Sequence, residues 1–298
     1  MASRASSRAS SGFGRWFRRL VCAALRRRGV PGHVAVIMDG NRRHARRRGA
    51  SATVGHRAGA ETLSAACEWC FDLGVKVLSV YALSTENFGR AEDELDGLFE
   101  LATERLEMLG KDARLARHRA RVTVSGDLNA LPKAVREAAM AVMEATAAND
   151  GPILNVCMAY TGREDLARAI VETRKEVKAG RLDASDVNER ALERRLYGQS
   201  GGAPLPAVDL LVRTSGETRL SDYMLMNCRF AALVFTETLW PDFTFWDMVD
   251  AVWRYQRGAD GLRRAREVYE ARTSTKRGGE DVDDASVVAE VSVGSRKK

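Results

Sequence analysis

His33-Val34-Ala35-Val36-Ile37-Met38-Asp39-Gly40-Asn41-Arg42-Arg43 is an apolar run that ends in a carboxylate, a glycine, an amide and two guanidinium groups. It is short and lacks polar alternation, as a strand covered on both faces would be, and Asp39 is the first acidic residue of the chain. A carboxylate at a strand exit can ligate Mg²⁺ through oxygen. Gly40 lets backbone approach a ligand closely, and the amides opening the next helix point at negative charge. The segment reads as a metal and diphosphate site; an ordinary turn with Asp39 as a helix cap is the alternative.

Other strands end in the same way. Val75 to Leu83 runs into Ser84-Thr85-Glu86-Asn87-Phe88-Gly89-Arg90, and Val122 to Ser125 stops at Gly126-Asp127. Ile153 to Ala159 stops at Tyr160-Thr161-Gly162-Arg163, and Val208 to Val212 stops at Arg213-Thr214-Ser215-Gly216-Glu217-Thr218-Arg219. Open parallel sheets bind ligands outside the carboxyl ends of their strands, so five polar clusters are expected on one rim. Between strands, Leu63, Ala66, Cys67 and Cys70 share a helical face, as do Leu95, Leu98, Phe99, Ala102, Leu106 and Leu109. Pro132 to Asn149 and Gly162 to Ala179 read as further helices. Alternating strands and helices predict an α/β fold, a single domain with a mainly parallel central sheet flanked by helices. At 298 residues and 45% hydrophobic, the chain can bury such a core.

Composition divides the chain into a basic amphipathic segment (1–31), a catalytic domain (32–272) and a polar tail (273–298) expected to be disordered. The first segment mixes Phe13, Trp16, Phe17, Leu20, Val21, Ala24 and Leu25 with arginines and has no acid. That suits a helix lying on an anionic membrane; an organelle transit peptide or a solvated arm are alternatives. No apolar run approaches the roughly 20 residues that span a bilayer. Five cysteines, an odd number in apolar or helical contexts, suit reduced buried thiols and a cytosolic setting. The net charge of +7 raises nucleic-acid binding. Much of that excess lies in the first 28 residues, and no motif with interleaved aromatics follows, so no nucleic-acid partner is expected.

From about Gly32 to Arg257 the order and spacing of these blocks resemble the cis-prenyltransferases. The blocks are His33 to Arg43, Gly55-His56, Tyr81 to Phe88, Asp209 to Asp222 and Leu239-Trp240-Pro241-Asp242-Phe243. Asn155 to Tyr160 and Thr244-Phe245-Trp246 look most like the eukaryotic dehydrodolichyl diphosphate synthase branch. The resemblance implies an enzyme that adds isopentenyl diphosphate to an allylic starter, typically farnesyl diphosphate, with Mg²⁺ as cofactor. It also implies an apolar tunnel for the product, bordered by the helix that carries Leu95 to Leu109. Asp39 would carry the metal and diphosphate role, while Gly40, Asn41, Arg42, Arg43 and His56 hold the starter's diphosphate. Arg213, Arg219 and Ser221 match the isopentenyl diphosphate site. Asn87, with Ser84, Glu86 and Arg90 in the same block, matches the residues that position the homoallylic substrate. A role in dolichol synthesis on the cytosolic face of the endoplasmic reticulum follows by the same resemblance, with a plastid location as the alternative. A non-catalytic or short-chain member of the family is the alternative function.

Departures from the family pattern are specific. His44 stands where an aromatic residue is usual, and Ala52 where a basic one is, so starter-diphosphate binding is expected to weaken unless neighbours such as Arg47 and Arg48 substitute for the lost cation. Met226-Asn227 replaces a common Trp-Gln pair. Ala232 stands where bacterial homodimeric members carry a glutamate, as in eukaryotic heteromeric members. The Arg-x-Gly that completes a neighbour's site is not found at the C-terminus; Arg277-Gly278-Gly279 fits the letters but precedes a long polar tail. The resemblance thus implies a Nogo-B-receptor-like regulatory subunit as partner, with a homodimer as the alternative.

Overall fold

In chain order the elements are α1 (Gly12–Arg27), β1 (His33–Ile37), α2 (Asn41–Arg47), α3 (Ala52–Leu73), β2 (Val77–Ser84), α4 (Glu92–Leu109), α5 (Ala113–Arg117), β3 (Arg121–Ser125), α6 (Lys133–Ala145), β4 (Ile153–Tyr160), α7 (Gly162–Lys178), α8 (Glu189–Glu193), β5 (Gln199–Ser200), β6 (Ala203–Pro204), β7 (Leu210–Arg213), β8 (Ala232–Phe235) and α9 (Phe245–Thr275). They belong to a computed structural model that describes residues 12–200 and 203–275. Expectations for residues 1–11 and for the tail after Thr275, Arg277-Gly278-Gly279 included, lie outside the described residues. Thr273 to Thr275, assigned to that tail, close α9 instead. By internal contacts the chain forms two compact units, Met1–Ala259 and Asp260–Lys298. Everything below concerns the first; the described part of the second is helix.

Six strands form one sheet in the order β3-β4-β2-β1-β7-β8, and every pairing is parallel. The period of two in β1 divides the core. Val34 and Val36 join the large cluster on one face, while Ala35 and Ile37 join a smaller cluster with Cys157, Tyr160, Leu211 and Tyr223 on the other. Central strands buried on both faces account for the unbroken apolar runs of the sequence. The edge strand β8 and the helix α9 were not anticipated. β8 has only four residues and exposes Leu233, and α9 interleaves charged residues with outward-facing Trp246 and Trp253, so neither shows a clear period.

One polar network, joined through Ser79, sits inside this apolar frame. His33 places Nδ1 2.7 Å from the Pro206 carbonyl and Nε2 2.8 Å from Ser79 Oγ. Asn155 in β4 donates to Ser79 Oγ at 3.0 Å and accepts from Ser125 Oγ at 2.6 Å and Thr123 Oγ1 at 3.1 Å. Each buried group thus has partners, as interior polar atoms require. All five cysteines are free and buried, and burial pushes the Cys67 thiol up to about 12.

Helices α2 and α3 meet through glycines. A Cβ on Gly55 would lie 2.2 Å from the Asn41 carbonyl oxygen, and one on Gly59 would lie 2.2 Å from Asn41 Oδ1. Trp240 seals the contact by donating Nε1–H to the Gly59 carbonyl at 2.8 Å.

The helix α1 is attached to the domain on one side. Cys22 is buried, Arg18 pairs with Glu68 at 2.9 Å and Asp72 at 3.3 Å, and Gln256 Nε2 donates to the Leu25 and Gly29 carbonyls. A boundary at residue 31 cuts through these contacts. On its other side Trp16, Phe17 and Leu20 are exposed, and Phe17 meets the exposed Trp246 with ring centroids 6.1 Å apart.

Candidate active site

Because β2, β1 and β7 are adjacent in the sheet, their carboxyl ends open side by side. Together with α3 and α4 they line a cavity of about 950 Å³. Asp39, Gly40, Asn41, Arg42 and Arg43 enter it after β1, and Ser84, Glu86, Asn87 and Arg90 at and after β2. Arg213, Arg219 and Ser221 come from β7 and the loop after it, and His56 from α3. The other two strand-end clusters do not reach it. Asp127 takes its amide to the Ala159 carbonyl at 3.0 Å and caps the turn at Leu128–Ala130. Arg163 opens α7 and binds Asp222 through its backbone N–H at 3.0 Å and its Nε at 2.8 Å. Three of the five expected clusters therefore share the site, because β3 and β4 lie toward one edge of the sheet.

At the centre Asp39 is held between guanidinium groups from two strand exits. Its Oδ2 accepts from Arg213 at 3.0 Å, and Arg43 lies 3.8 Å from its Oδ1. Gly40 makes the turn with φ of 107° and donates its amide to Asp39 Oδ1 at 2.7 Å. A Cβ there would also meet Leu239 at 3.0 Å, so glycine is needed for both reasons.

Thr214 and Glu217 tie the two strand exits together. Thr214 Oγ1 accepts the Asp39 amide at 3.0 Å and donates to the Asp39 carbonyl at 2.7 Å, which locks the β1 exit to the β7 exit. Glu217 bridges Arg43, at 3.2 Å, and Arg219. Nothing in composition marks Thr214 except its place directly after Arg213.

Arg213 is buried and donates Nη1 to Ser221 Oγ at 2.7 Å, yet its buried Nε has no partner among the described residues. Asn41 Oδ1 and His56 Nε2 are in the same condition. Orphaned buried polar atoms are costly in a folded chain, so these three at the polar end of the cavity mark a place for a polar ligand. Burial lowers the pKa of His56, and the charges of Arg90 and Arg42 act in the same direction against Glu94. The imidazole is therefore neutral at pH 7. Asn87 Oδ1 accepts the Ser84 amide at 3.2 Å, Arg90 pairs with Glu94 at 2.9 Å, and Glu86 is mostly exposed. The loop beyond Arg213 is strained: Ser215, Ser221, Asp222 and Met224 all have positive φ. Backbone of this kind clusters where a ligand is gripped.

The departures from the family pattern find local explanations. His44 is buried, with Nδ1 2.9 Å from Asp242 Oδ2, and Arg48 lies against the ring and reaches Asp242 Oδ1 at 3.4 Å. A polar contact thus replaces an aromatic one in joining α2 to the turn at Trp240–Asp242. Arg48 is thereby engaged, and Arg47 does not line the cavity. Arg46 does, beside Ala50 and Ala52.

Among the described residues no three His, Cys, Asp or Glu side chains converge as a ready-made metal cage. Asp39 still fits Mg²⁺. It is a hard oxygen donor whose carboxylate has lone pairs beyond the two hydrogen bonds it accepts, and Mg²⁺ commonly takes one or two carboxylates with phosphate oxygens and water.

Residues 37–262 match the family model for undecaprenyl diphosphate synthase. The dehydrodolichyl diphosphate synthase complex subunit of Mus musculus is 40% identical over 250 residues, which cover 83% of this chain and 74% of the relative. A geranylgeranyl-diphosphate-specific tritrans,polycis-undecaprenyl-diphosphate synthase of Methanopyrus kandleri is 41% identical over 228 residues, 76% of this chain and 83% of the relative. Among solved structures, lavandulyl diphosphate synthase from Lavandula x intermedia, in complex with dimethylallyl diphosphate, aligns with a TM-score of 0.70 at 30% identity. That alignment covers 76% of this chain and 95% of the other.

Proposed function

The chain belongs to the undecaprenyl diphosphate synthase family of prenyltransferases, and from that premise we propose that it is a Mg²⁺-dependent cis-prenyltransferase. It condenses isopentenyl diphosphate onto an allylic starter, farnesyl diphosphate, to make long-chain polyprenyl (dehydrodolichyl) diphosphate for dolichol synthesis. One observation carries this reading: Asp39 lies between Arg43 and Arg213, so two cationic cradles from two strand exits meet at one carboxylate.

The starter's diphosphate sits on Gly40, Asn41, Arg42 and Arg43, whose amides and guanidiniums offer donors, with Arg46 and neutral His56 beside them. Isopentenyl diphosphate sits on Arg213, Arg219 and Ser221, with Ser84, Asn87 and Arg90 on the opposite wall to orient it. Glu86 stands at the open edge of that wall. A Mg²⁺ ion held by Asp39 would neutralise charge developing on the leaving diphosphate. The chain's own part is to fix the two substrates in line and to meet the departing charge with preset donors. The apolar stretch of the cavity, from Leu63 and Leu98 to Leu109, Val156 and Met158, is the tunnel that receives the growing hydrocarbon.

The relatives from mouse and human are named as subunits of a complex, which supports a Nogo-B-receptor-like partner for this chain too. Peripheral attachment to the cytosolic face of the endoplasmic reticulum is supported by the exposed Trp16, Phe17, Leu20 and Trp246 beside the arginines of α1. Incubation with Mg²⁺, farnesyl diphosphate and labelled isopentenyl diphosphate is expected to give a ladder of polyprenyl products, weakly from the chain alone and strongly with the partner. No labelled product under either condition overturns the transferase reading. Full turnover by the isolated chain overturns only the heteromer.

A further inference from the structure

The cavity changes character along α4. Near its head lie Arg42, His56, Arg90 and Glu94; further along, α4 presents Leu98, Leu101, Ala102, Leu106 and Leu109. These positions recur at helical spacing and all line the cavity; only Leu106 is fully buried, while Leu98, Ala102 and Leu109 are partly buried against the core beside it.

One member of that face is out of place. Arg105 lines the same wall, lies between Ala102 and Leu109 on it, and is pinned across to α3 by Glu61, with Nη1 3.0 Å from Oε1. Its Nε is buried and has no partner among the described residues. A second ion pair, Arg57 to Glu104 at 3.5 Å, ties the same two helices beside it. From Glu94, at the polar head, to Arg105 is eleven residues of helix, about 16 Å at 1.5 Å per residue.

We infer that Arg105, anchored by Glu61, is a length-determining residue: a polar collar in an otherwise apolar channel that opposes the passage of a growing hydrocarbon. This rests on the prenyltransferase reading above and adds to it a residue that acts on chains once they extend beyond the starter. A hydrocarbon that reaches the guanidinium offers no acceptor to the orphaned N–H and displaces whatever water serves it, so each further condensation past that depth is opposed. A short chain never meets it, so the first condensation is untouched. The pair spans α3 and α4, and a chain crossing the collar must either part it or bend around it.

The test is product sizing by chromatography for the wild type, Arg105→Leu and Arg105→Met, with the partner subunit present. The expected result is a shift of the product ladder to longer chains in both variants, with kcat/KM for the first condensation within about twofold of wild type. The leucine variant fills the wall with hydrocarbon, and methionine keeps the length of the side chain without its charge. A ladder superimposable on the wild type in both variants overturns the inference while the transferase reading stands. A wild type that yields no ladder overturns the reading on which it rests. A loss of first-condensation activity in both variants also overturns the inference, since it would make Arg105 a structural strut.

Discussion

At the scale of single residues, the site is a balance of charge around Asp39. Replacing it with alanine leaves Arg213 buried without its carboxylate and removes the proposed metal ligand. Elongation should fall by about 10³-fold or more while the circular dichroism spectrum stays native. Turnover within tenfold of wild type would exclude the assigned role. The two cradles should separate kinetically. Arg43→Ala is expected to raise KM for the allylic starter, and Arg219→Ala to raise KM for isopentenyl diphosphate, each by about 10- to 100-fold, the worth of a charge-assisted hydrogen bond. Equal effects of both variants on both substrates would show that the cradles are not distinct. Asp39 and Arg213 were legible as polar groups that apolar strands deliver to one rim of a parallel sheet. The contacts of Thr214 and Glu217 with the β1 exit were not, since a partner 175 residues away for Thr214, and one nearly as far for Glu217, leaves no local pattern.

At the scale of elements, the strands were legible and their neighbours less so. Runs such as Val77–Ser84 and Ile153–Tyr160 are long and apolar enough to identify themselves. Which strand ends would meet depended on sheet order, which periodicity does not encode, and so two of five clusters stand apart from the cavity, one capping a turn and the other binding Asp222. His33, the first residue of β1, makes an element-level pH dependence. Burial lowers its pKa to about 4, from an ordinary value of 6.5, against the Pro206 contact and Asp209. Between those values the unfolded chain binds a proton that the folded chain excludes. Stability is therefore complete above pH 6.5 and declines as pH falls toward 4, by about 3 kcal/mol in total from this group. Denaturant unfolding of wild type and His33→Gln at pH 7 and pH 4.5 should show a smaller loss in the variant. An identical pH dependence in the two proteins would remove His33 as a source.

At the scale of the whole molecule, the basic first segment was legible in composition, but its attachment was not. The contacts of Arg18, Cys22 and the Leu25 carbonyl make α1 part of the fold of the first unit. A chain starting at Gly32 should lose about 2–3 kcal/mol, seen as a fall in Tm of roughly 5–10 °C by calorimetry. An unchanged Tm would restore the view of a detachable arm or cleavable leader. The glycine seam between α2 and α3 carries a consequence for reading genetic variation in this chain. A single methyl group at residue 59 would press on the Asn41 amide and the Trp240 ring, and the displaced Asn41 would disturb the starter's cradle. A Gly59→Ala variant would show an assay profile that mimics a lost arginine, although the altered position makes no bond to either substrate.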